Sequence, residues 1–240
     1  VTTLAQKIPL PPDNLMIAVS NHANHEDFAR SRINGPAQML ADLSAAAIDH
    51  TRLVDTLDFG CGCGRFLAGW IMRGSPMRLR GCDYNPALVE WCSEHIPGVD
   101  VKVNRLGEEI PFETGSLNFV YLLSVFTHLT VAEQKRLVGE FRRILRPGGY
   151  VYVTFHGEYF HPDMLPRVEG GEEIFRRNGF LIQYENLEGR NDCWTLHTPG
   201  YLSALFDGFV PLKHFRSLDR GPTDIAAWQD SMIFRLGVQS

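Results

Sequence analysis

The chain has 240 residues, 44% hydrophobic and 21% charged, which suits a soluble protein with room for one large α/β domain. No apolar run reaches the ~18 residues that span a membrane, the opening VTTLAQKIPLPPDN lacks a signal-peptide layout, and the formal charge of −5 comes without a long basic stretch. Together these argue against a membrane or a nucleic-acid backbone as partner. The five cysteines, at 61, 63, 82, 92 and 193, read as reduced thiols of a cytoplasmic protein.

The first ten or so residues, ending in Pro9, Pro11 and Pro12, read as an extended arm. Asn24 before His25, Glu26 and Asp27 predicts a helix start with an acidic first turn. That helix should stop near Gly35, and Pro36 should open a second one carrying Met39, Leu40 and Leu43 inward. From about residue 53 the pattern becomes strand–helix alternation. LVDTLDF (53–59) reads as a strand, RFLAGWIM (65–72) as a helix and MRLRGCD (77–83) as the next strand. Asn85 then caps a helix with Pro86 at its first position. VDVKV (99–103) and LNFVYLLS (117–124) are further strands, the second apolar enough to be buried on both faces. Thr130 to Glu133 form a capping-box sequence whose helix ends at Pro147-Gly148-Gly149, before the strand YVYVTF (150–155). Between 157 and about 198 the rhythm breaks. YLSALF (201–206) reads as helix, and FVPLKHFR (209–216) and WQDSMIFRLG (228–237) read as strands. Such alternation predicts a doubly wound parallel sheet that binds ligands at the carboxyl ends of its strands.

One such end reads GCGCGRF. Three glycines in five residues at a strand-to-helix turn point to a ligand approaching the backbone. A dinucleotide fingerprint needs G-x-G-x-x-G, and Arg65 stands where its third glycine belongs; no G-K-[ST] follows for a P-loop. Asp83, closing the next strand, is placed to accept hydrogen bonds from a ribose diol. A nucleoside is therefore expected, with something smaller than a pyrophosphate above the glycines. S-adenosylmethionine meets both demands.

LDFGCGCGRFL, GCDYNPALVEWC, LNFVYLLSVFTHL and RILRPGGYVYVTFHG follow in order and spacing the motifs of class I S-adenosylmethionine-dependent methyltransferases, which residues 50–156 resemble. SVFTHL, VTFHG and QDSMIFRL resemble a bacterial branch associated with glycosyltransferase and surface-polysaccharide functions. The resemblance implies a Rossmann-like sheet of seven strands, mostly parallel with an antiparallel last strand, preceded by N-terminal helices and carrying an insert after strand five. It divides the chain into an arm with cap helices (1–50) and a cofactor-binding domain (51–240) whose insert, 157–198, faces the acceptor. It also implies S-adenosyl-L-methionine as cofactor and S-adenosyl-L-homocysteine as product. Asp58 would organise the glycine loop and the methionine amine, with Gly60, Cys61 and Gly62 presenting backbone. Asp83 would hold the ribose and Tyr84 pack along the adenine. Asn104 and Arg105 would border the adenine edge, and Ser124 and Val125 flank the methionine. The family often carries an acidic residue where this chain has Asn118.

Cys61-Gly62-Cys63 lacks the second paired motif of a structural zinc site, and His156, His161 and Asp163 match no compact metal motif, so no metal is expected. His128, His156 and His161 are candidate general bases, since an unperturbed imidazole titrates near neutrality. The resulting expectation is methyl transfer to an oxygen or nitrogen of a small molecule, for which a sugar or glycoconjugate is a candidate. The alternatives are a nicotinamide-dependent dehydrogenase, which Arg65 opposes, and a nucleoside-binding partner subunit without turnover.

Overall fold

The computed structural model describes residues 8–219 and 228–237; most of the expected N-terminal arm lies outside them. Strands β1 (Asp55–Phe59), β2 (Arg78–Asp83), β3 (Asp100–Val103), β4 (Leu117–Leu122), β5 (Leu145–Phe155), β8 (Phe209–Phe215) and β9 (Asp230–Leu236) form one sheet in the order β3-β2-β1-β4-β5-β9-β8. The pairs from β3 to β5 are parallel, and β9 runs antiparallel to both β5 and β8. This is the expected doubly wound architecture. The order reverses between β1 and β4, which opens a crevice at their carboxyl ends.

Alternation along the strands sorts the core into two layers. Val120 and Leu122 of β4 pack with Leu137, Val138 and Phe141 of helix α5 (Val131–Ile144) and Leu202 of α8 (Pro199–Leu205). Phe119 and Tyr121 face the opposite layer. There Met39 and Leu43 of α2 (His25–Ala45) meet Phe66, Leu67 and Trp70 of α3 (Arg65–Met72), beside Cys92 of α4 (Pro86–His95). The caps follow the sequence: Asn24 Oδ1 accepts from the Asp27 amide at 3.1 Å, Asn85 Oδ1 from Ala87 at 3.1 Å and Thr130 Oγ1 from Glu133 at 3.3 Å.

Three local points differ from the sequence reading, the second by adding an element it did not contain. The helix break at Gly35 does not occur, because α2 runs unbroken through Pro36. Pro36 has no N–H to offer the Arg32 carbonyl. That carbonyl instead faces Gly69 of α3, so closely that a Cβ there would lie 2.1 Å from the oxygen. Tertiary packing absorbs the local defect. Second, a helix α1 (Asp13–Ser20) follows the prolines, held by Leu15 and Met16 against Cys63, Phe28 and Leu88. Third, β5 begins at Leu145, opposite Leu117, with a register shift before Tyr150 pairs with Phe119.

The segment after β5 builds its own unit. It contains α6 (His161–Met164), α7 (Gly171–Asn178) and the antiparallel pair β6 (Phe180–Gln183) and β7 (Trp194–His197), around Met164, Phe175, Leu181 and Leu196.

Candidate active site

A cleft opens at the carboxyl ends of β1, β2 and β4. The glycine loop forms its floor. Gly60 and Cys61 donate their amides to the Cys82 carbonyl at 2.8 and 2.9 Å, and Gly62 donates to Asp83 Oδ2 at 2.9 Å. Gly60 and Gly62 both have left-handed backbone, φ 73° and 54°. A Cβ on Gly60 would stand 2.5 Å from Val125 Cγ2, and one on Gly62 would stand 3.0 Å from Val19 Cγ2. The glycines therefore let the loop pass under neighbours that any side chain would strike. Cys61 and Cys92 direct their thiols at the Gly62 carbonyl from 3.7 and 3.4 Å, and burial pushes the Cys63 thiol up to about 12. These are inert packing thiols. Among the described residues no group of three or more His, Cys, Asp or Glu is placed to hold a metal.

All ten residues assigned to the cofactor from the sequence (Asp58, Gly60, Cys61, Gly62, Asp83, Tyr84, Asn104, Arg105, Ser124 and Val125) line this cleft. Asp58 ends up buried, and burial pushes its carboxyl up to about 8; the nearby Asp83 adds to the shift, while Tyr121 and Arg65 oppose it. The Tyr121 hydroxyl lies close to Asp58 without a hydrogen bond of normal geometry. Asp83 accepts from the Gly62 and Asn85 amides, both at 2.9 Å. A carboxylate offers about four lone-pair sites, so Asp83 keeps acceptor capacity for a diol. Burial raises its pKa against those amides.

Arg65, which enters the sequence reading only as a missing glycine, also lines the cleft, with its guanidinium 5.4 Å from the centre of the Phe28 ring. An acid and a cation thus stand together over the glycine loop. The signal was available: one charged residue directly after a glycine turn at a helix N-terminus must face either solvent or ligand.

Of the three histidine candidates, His128 alone lines the cleft. Its Nδ1 lies 2.7 Å from the Cys193 carbonyl. A carbonyl only accepts, so Nδ1 carries the proton and Nε2 presents a lone pair. Burial lowers the pKa of His128, so the ring is neutral at pH 7. His156 stands behind it, ring centres 6.4 Å apart, with Nδ1 3.1 Å from the Thr195 carbonyl; burial, then the His128 neighbour, drives it down to about 3. His161 packs against Phe175 at 4.8 Å between ring centres, away from the cleft lining. The structure therefore separates the three.

The segment after β5 is fastened over this cleft. Gly189 N donates to the His128 carbonyl at 2.8 Å, and Glu188 Oε1 accepts from Thr130 N at 2.7 Å. Glu188 thereby takes the place that a capping box gives to Glu133, which pairs with Arg136 at 2.6 Å instead. Asn191 Nδ2 reaches Asn21 Oδ1 just beyond α1 at 3.0 Å. Gly189 and Asn191 of this segment and Ala18 and Val19 of α1 all border the cleft.

Residues 57–153 match a family model described as a methyltransferase domain. A probable S-adenosylmethionine-dependent methyltransferase of Mycolicibacterium smegmatis is 33% identical over 100 residues, 42% of this chain and 37% of that protein. A probable phthiotriol/phenolphthiotriol dimycocerosates methyltransferase of Mycobacterium ulcerans is 32% identical over 96 residues, 39% and 36% of the two chains. The alignments span only 22% to 37% of the curated relatives' lengths. In fold, the chain is similar to a Pyrococcus horikoshii protein (TM-score 0.60, 16% identity, 89% of this chain and 92% of that one). It is similar too to an S-adenosylmethionine-dependent methyltransferase from Mesorhizobium loti (TM-score 0.58, 16% identity, 81% and 96%). Glycine loop, sheet order and matched domain agree: residues 57–153 resemble the methyltransferase domain of S-adenosylmethionine-dependent enzymes and sit in the same fold.

Proposed function

We propose that this protein transfers a methyl group from S-adenosylmethionine to an oxygen or nitrogen atom of a small molecule, with sugars and glycoconjugates the first acceptors to try. The observation that carries the reading is the charge layout of the cleft. An amino-acid zwitterion needs an acid and a cation close together, and a ribose needs a second acid at a distance. Asp58 with Arg65, and Asp83 at the end of the next strand, supply that set above a loop only glycines can form. In this assignment Asp58 and Arg65 hold the α-amino and carboxylate groups, Asp83 the ribose hydroxyls, and Tyr84, Asn104 and Arg105 the base. When bound, the cofactor supplies a methyl group already activated on a sulfonium. The chain has only to align the acceptor, exclude water and take a proton where the acceptor carries one. His128 is the base in this scheme.

Residues 157–198 are assigned to the acceptor side, and residues 1–50 to an arm and cap helices. Supporting this, Gly189 and Asn191 border the cleft together with Ala18 and Val19 of α1, Asn191 bonds Asn21 just beyond that helix, and Trp194 stands 5.7 Å from the His156 ring. The deciding experiment pairs two measurements. Calorimetry should show S-adenosylhomocysteine binding and no nicotinamide dinucleotide binding. A screen of sugars, nucleotide-sugars and phenols, read as S-adenosylhomocysteine release, should find turnover. Binding without turnover on any acceptor would favour the partner-subunit reading, and dinucleotide binding in its place would overturn the assignment.

A further inference from the structure

Ser124 has left-handed backbone, φ 60°, just past the end of β4, and it lines the cleft. A non-glycine residue in that region persists only where its surroundings hold it, and such residues cluster at functional sites. What holds Ser124 is a closed ring of hydrogen bonds drawn from three strand ends. Its amide donates to Thr154 Oγ1 at 2.7 Å; Thr154 Oγ1 donates to Gln229 Oε1 at 2.7 Å; and Gln229 Nε2 donates to Ser124 Oγ at 2.8 Å. Gln229 immediately precedes β9, which is antiparallel to β5, so it arrives at the same carboxyl edge from 105 residues away.

The directions in this ring are fixed by its one unambiguous donor. The Ser124 amide can only donate, so Thr154 Oγ1 accepts from it. Thr154 is 4% exposed, so its own hydroxyl proton needs a protein acceptor, and that acceptor is Gln229 Oε1. The amide group of Gln229 is thereby oriented, and its N–H points at Ser124 Oγ. Since Ser124 Oγ accepts from Gln229, the serine's proton is directed elsewhere. Its one other partner among the described residues is Thr127 Oγ1 at 3.2 Å, which has its own proton on the Ser124 carbonyl at 2.7 Å and so can accept from Ser124. That contact is long for two hydroxyls, so an oxygen entering the cleft can replace it.

We propose that Gln229 is a positioning residue that makes the Ser124 hydroxyl a hydrogen-bond donor into the cleft, and that the methylated atom is a hydroxyl oxygen. This rests on the methyltransferase reading and narrows its acceptor. A hydroxyl oxygen has two lone pairs: one accepts from Ser124 and the other attacks the methyl carbon. An amine nitrogen has one, and a donor placed on it blocks attack. In the balanced step the acceptor oxygen forms the new C–O bond as the C–S bond breaks with its electron pair on sulfur. The hydroxyl proton passes to Nε2 of His128, which carries the lone pair of the neutral ring because Nδ1 holds that ring's one proton against the Cys193 carbonyl.

The test uses the whole chain with Gln229→Glu and Gln229→Leu. The glutamate variant keeps an acceptor for Thr154 but turns the Ser124 proton inward and adds a negative charge beside the transfer position. At pH 8 it should raise the affinity for cationic S-adenosylmethionine relative to neutral S-adenosylhomocysteine about tenfold. An unchanged ratio places Gln229 away from the methyl group and overturns the proposal. The second arm assays matched acceptors, phenol with aniline and glucose with glucosamine, with mass spectrometric location of the methyl group. The expected product is an O-methyl ether, with kcat at least tenfold lower in both variants and S-adenosylhomocysteine affinity of Gln229→Leu within threefold of native. N-methylation, turnover of no hydroxyl compound, or native kcat in either variant overturns it. Failure of the native chain to bind S-adenosylhomocysteine strikes the underlying methyltransferase reading instead.

Discussion

Two aspartates on β1, three residues apart, show how differently the two edges of one sheet are built. At the amino edge, Asp55 is saturated. Arg78 binds it in a fork at 2.8 and 2.7 Å, Arg146 at 2.9 Å and Arg80 at 3.1 Å, and together, led by Arg78, they hold its carboxyl well below the usual range. Asn118, where the family often has an acid, joins this cluster through Arg146 at 3.0 Å and the Asp55 amide at 3.2 Å. At the carboxyl edge, Asp58 is equally buried, yet among the described residues no cation bonds it directly, and its carboxyl is pushed up to about 8. A buried acid that the fold satisfies is a staple. One that the fold leaves short of a partner is prepared for a ligand.

Four measurements can break that contrast or sharpen it, taken from the largest expected effect down. Asp83→Ala removes the ribose acceptor, at least one of whose bonds is charge-assisted. S-adenosylhomocysteine affinity should fall by roughly 2–4 kcal/mol. An unchanged dissociation constant would place the ribose elsewhere.

Asp58→Asn should weaken S-adenosylhomocysteine by about 2–3 kcal/mol, the value of a charge-assisted contact, without loss of thermal stability. The sign follows from the raised pKa. Between the unfolded value near 3.8 and the folded value of about 8, the folded chain keeps a proton that the unfolded chain gives up. Stability from this group is therefore present at low pH and declines as pH rises to 8, by at most ~1.4 kcal/mol per pH unit, and the asparagine variant flattens that slope. Pairing with the ligand's ammonium ionises Asp58, so ligand binding at pH 7 should release about one proton. Calorimetry in buffers of different ionisation enthalpy measures it, and no release in the native protein would count against the pairing.

Asp55→Asn should do the reverse, destabilising the fold by about 2 kcal/mol and leaving ligand affinity unchanged. That is below the ~3–5 kcal/mol of a wholly buried broken pair, because the Arg78 and Arg146 side chains are 66% and 43% exposed. Urea unfolding beside calorimetry separates the two aspartates, and a shared phenotype would erase the distinction between the edges.

The smallest effect concerns the strap over the cleft. Glu188→Gln weakens its bond to the Thr130 amide at the start of α5, and about 0.5–1 kcal/mol of stability should be lost. Hydrogen exchange should rise at Gly189 and Asn191 before it rises in the sheet. Uniform protection across both would show that the segment is not held by this contact.

Much of the molecule is determined by neighbours in sequence, because its causes act within a few residues. Alternating strand and helix patterns set the parallel sheet. Asn24, Asn85 and Thr130 fix their helix starts through a side chain two or three residues from the amide it caps. The glycine loop is legible because only glycine tolerates its backbone, and Asp58 and Asp83 are legible because they end the strands that flank it. Tertiary structure decided what depends on distant partners. Pro36 breaks no helix because the bared Arg32 carbonyl rests on Gly69. Thr130 has a second partner in Glu188, from an insert whose sequence carries no sign of where it folds back. His128, His156 and His161 look alike in the sequence, and only packing gives one of them the cleft. Gln229 is the clearest case. The sequence places it only in a strand-like run and at the head of the phrase QDSMIFRL, and its meaning comes from antiparallel pairing that brings it 105 residues back to Ser124.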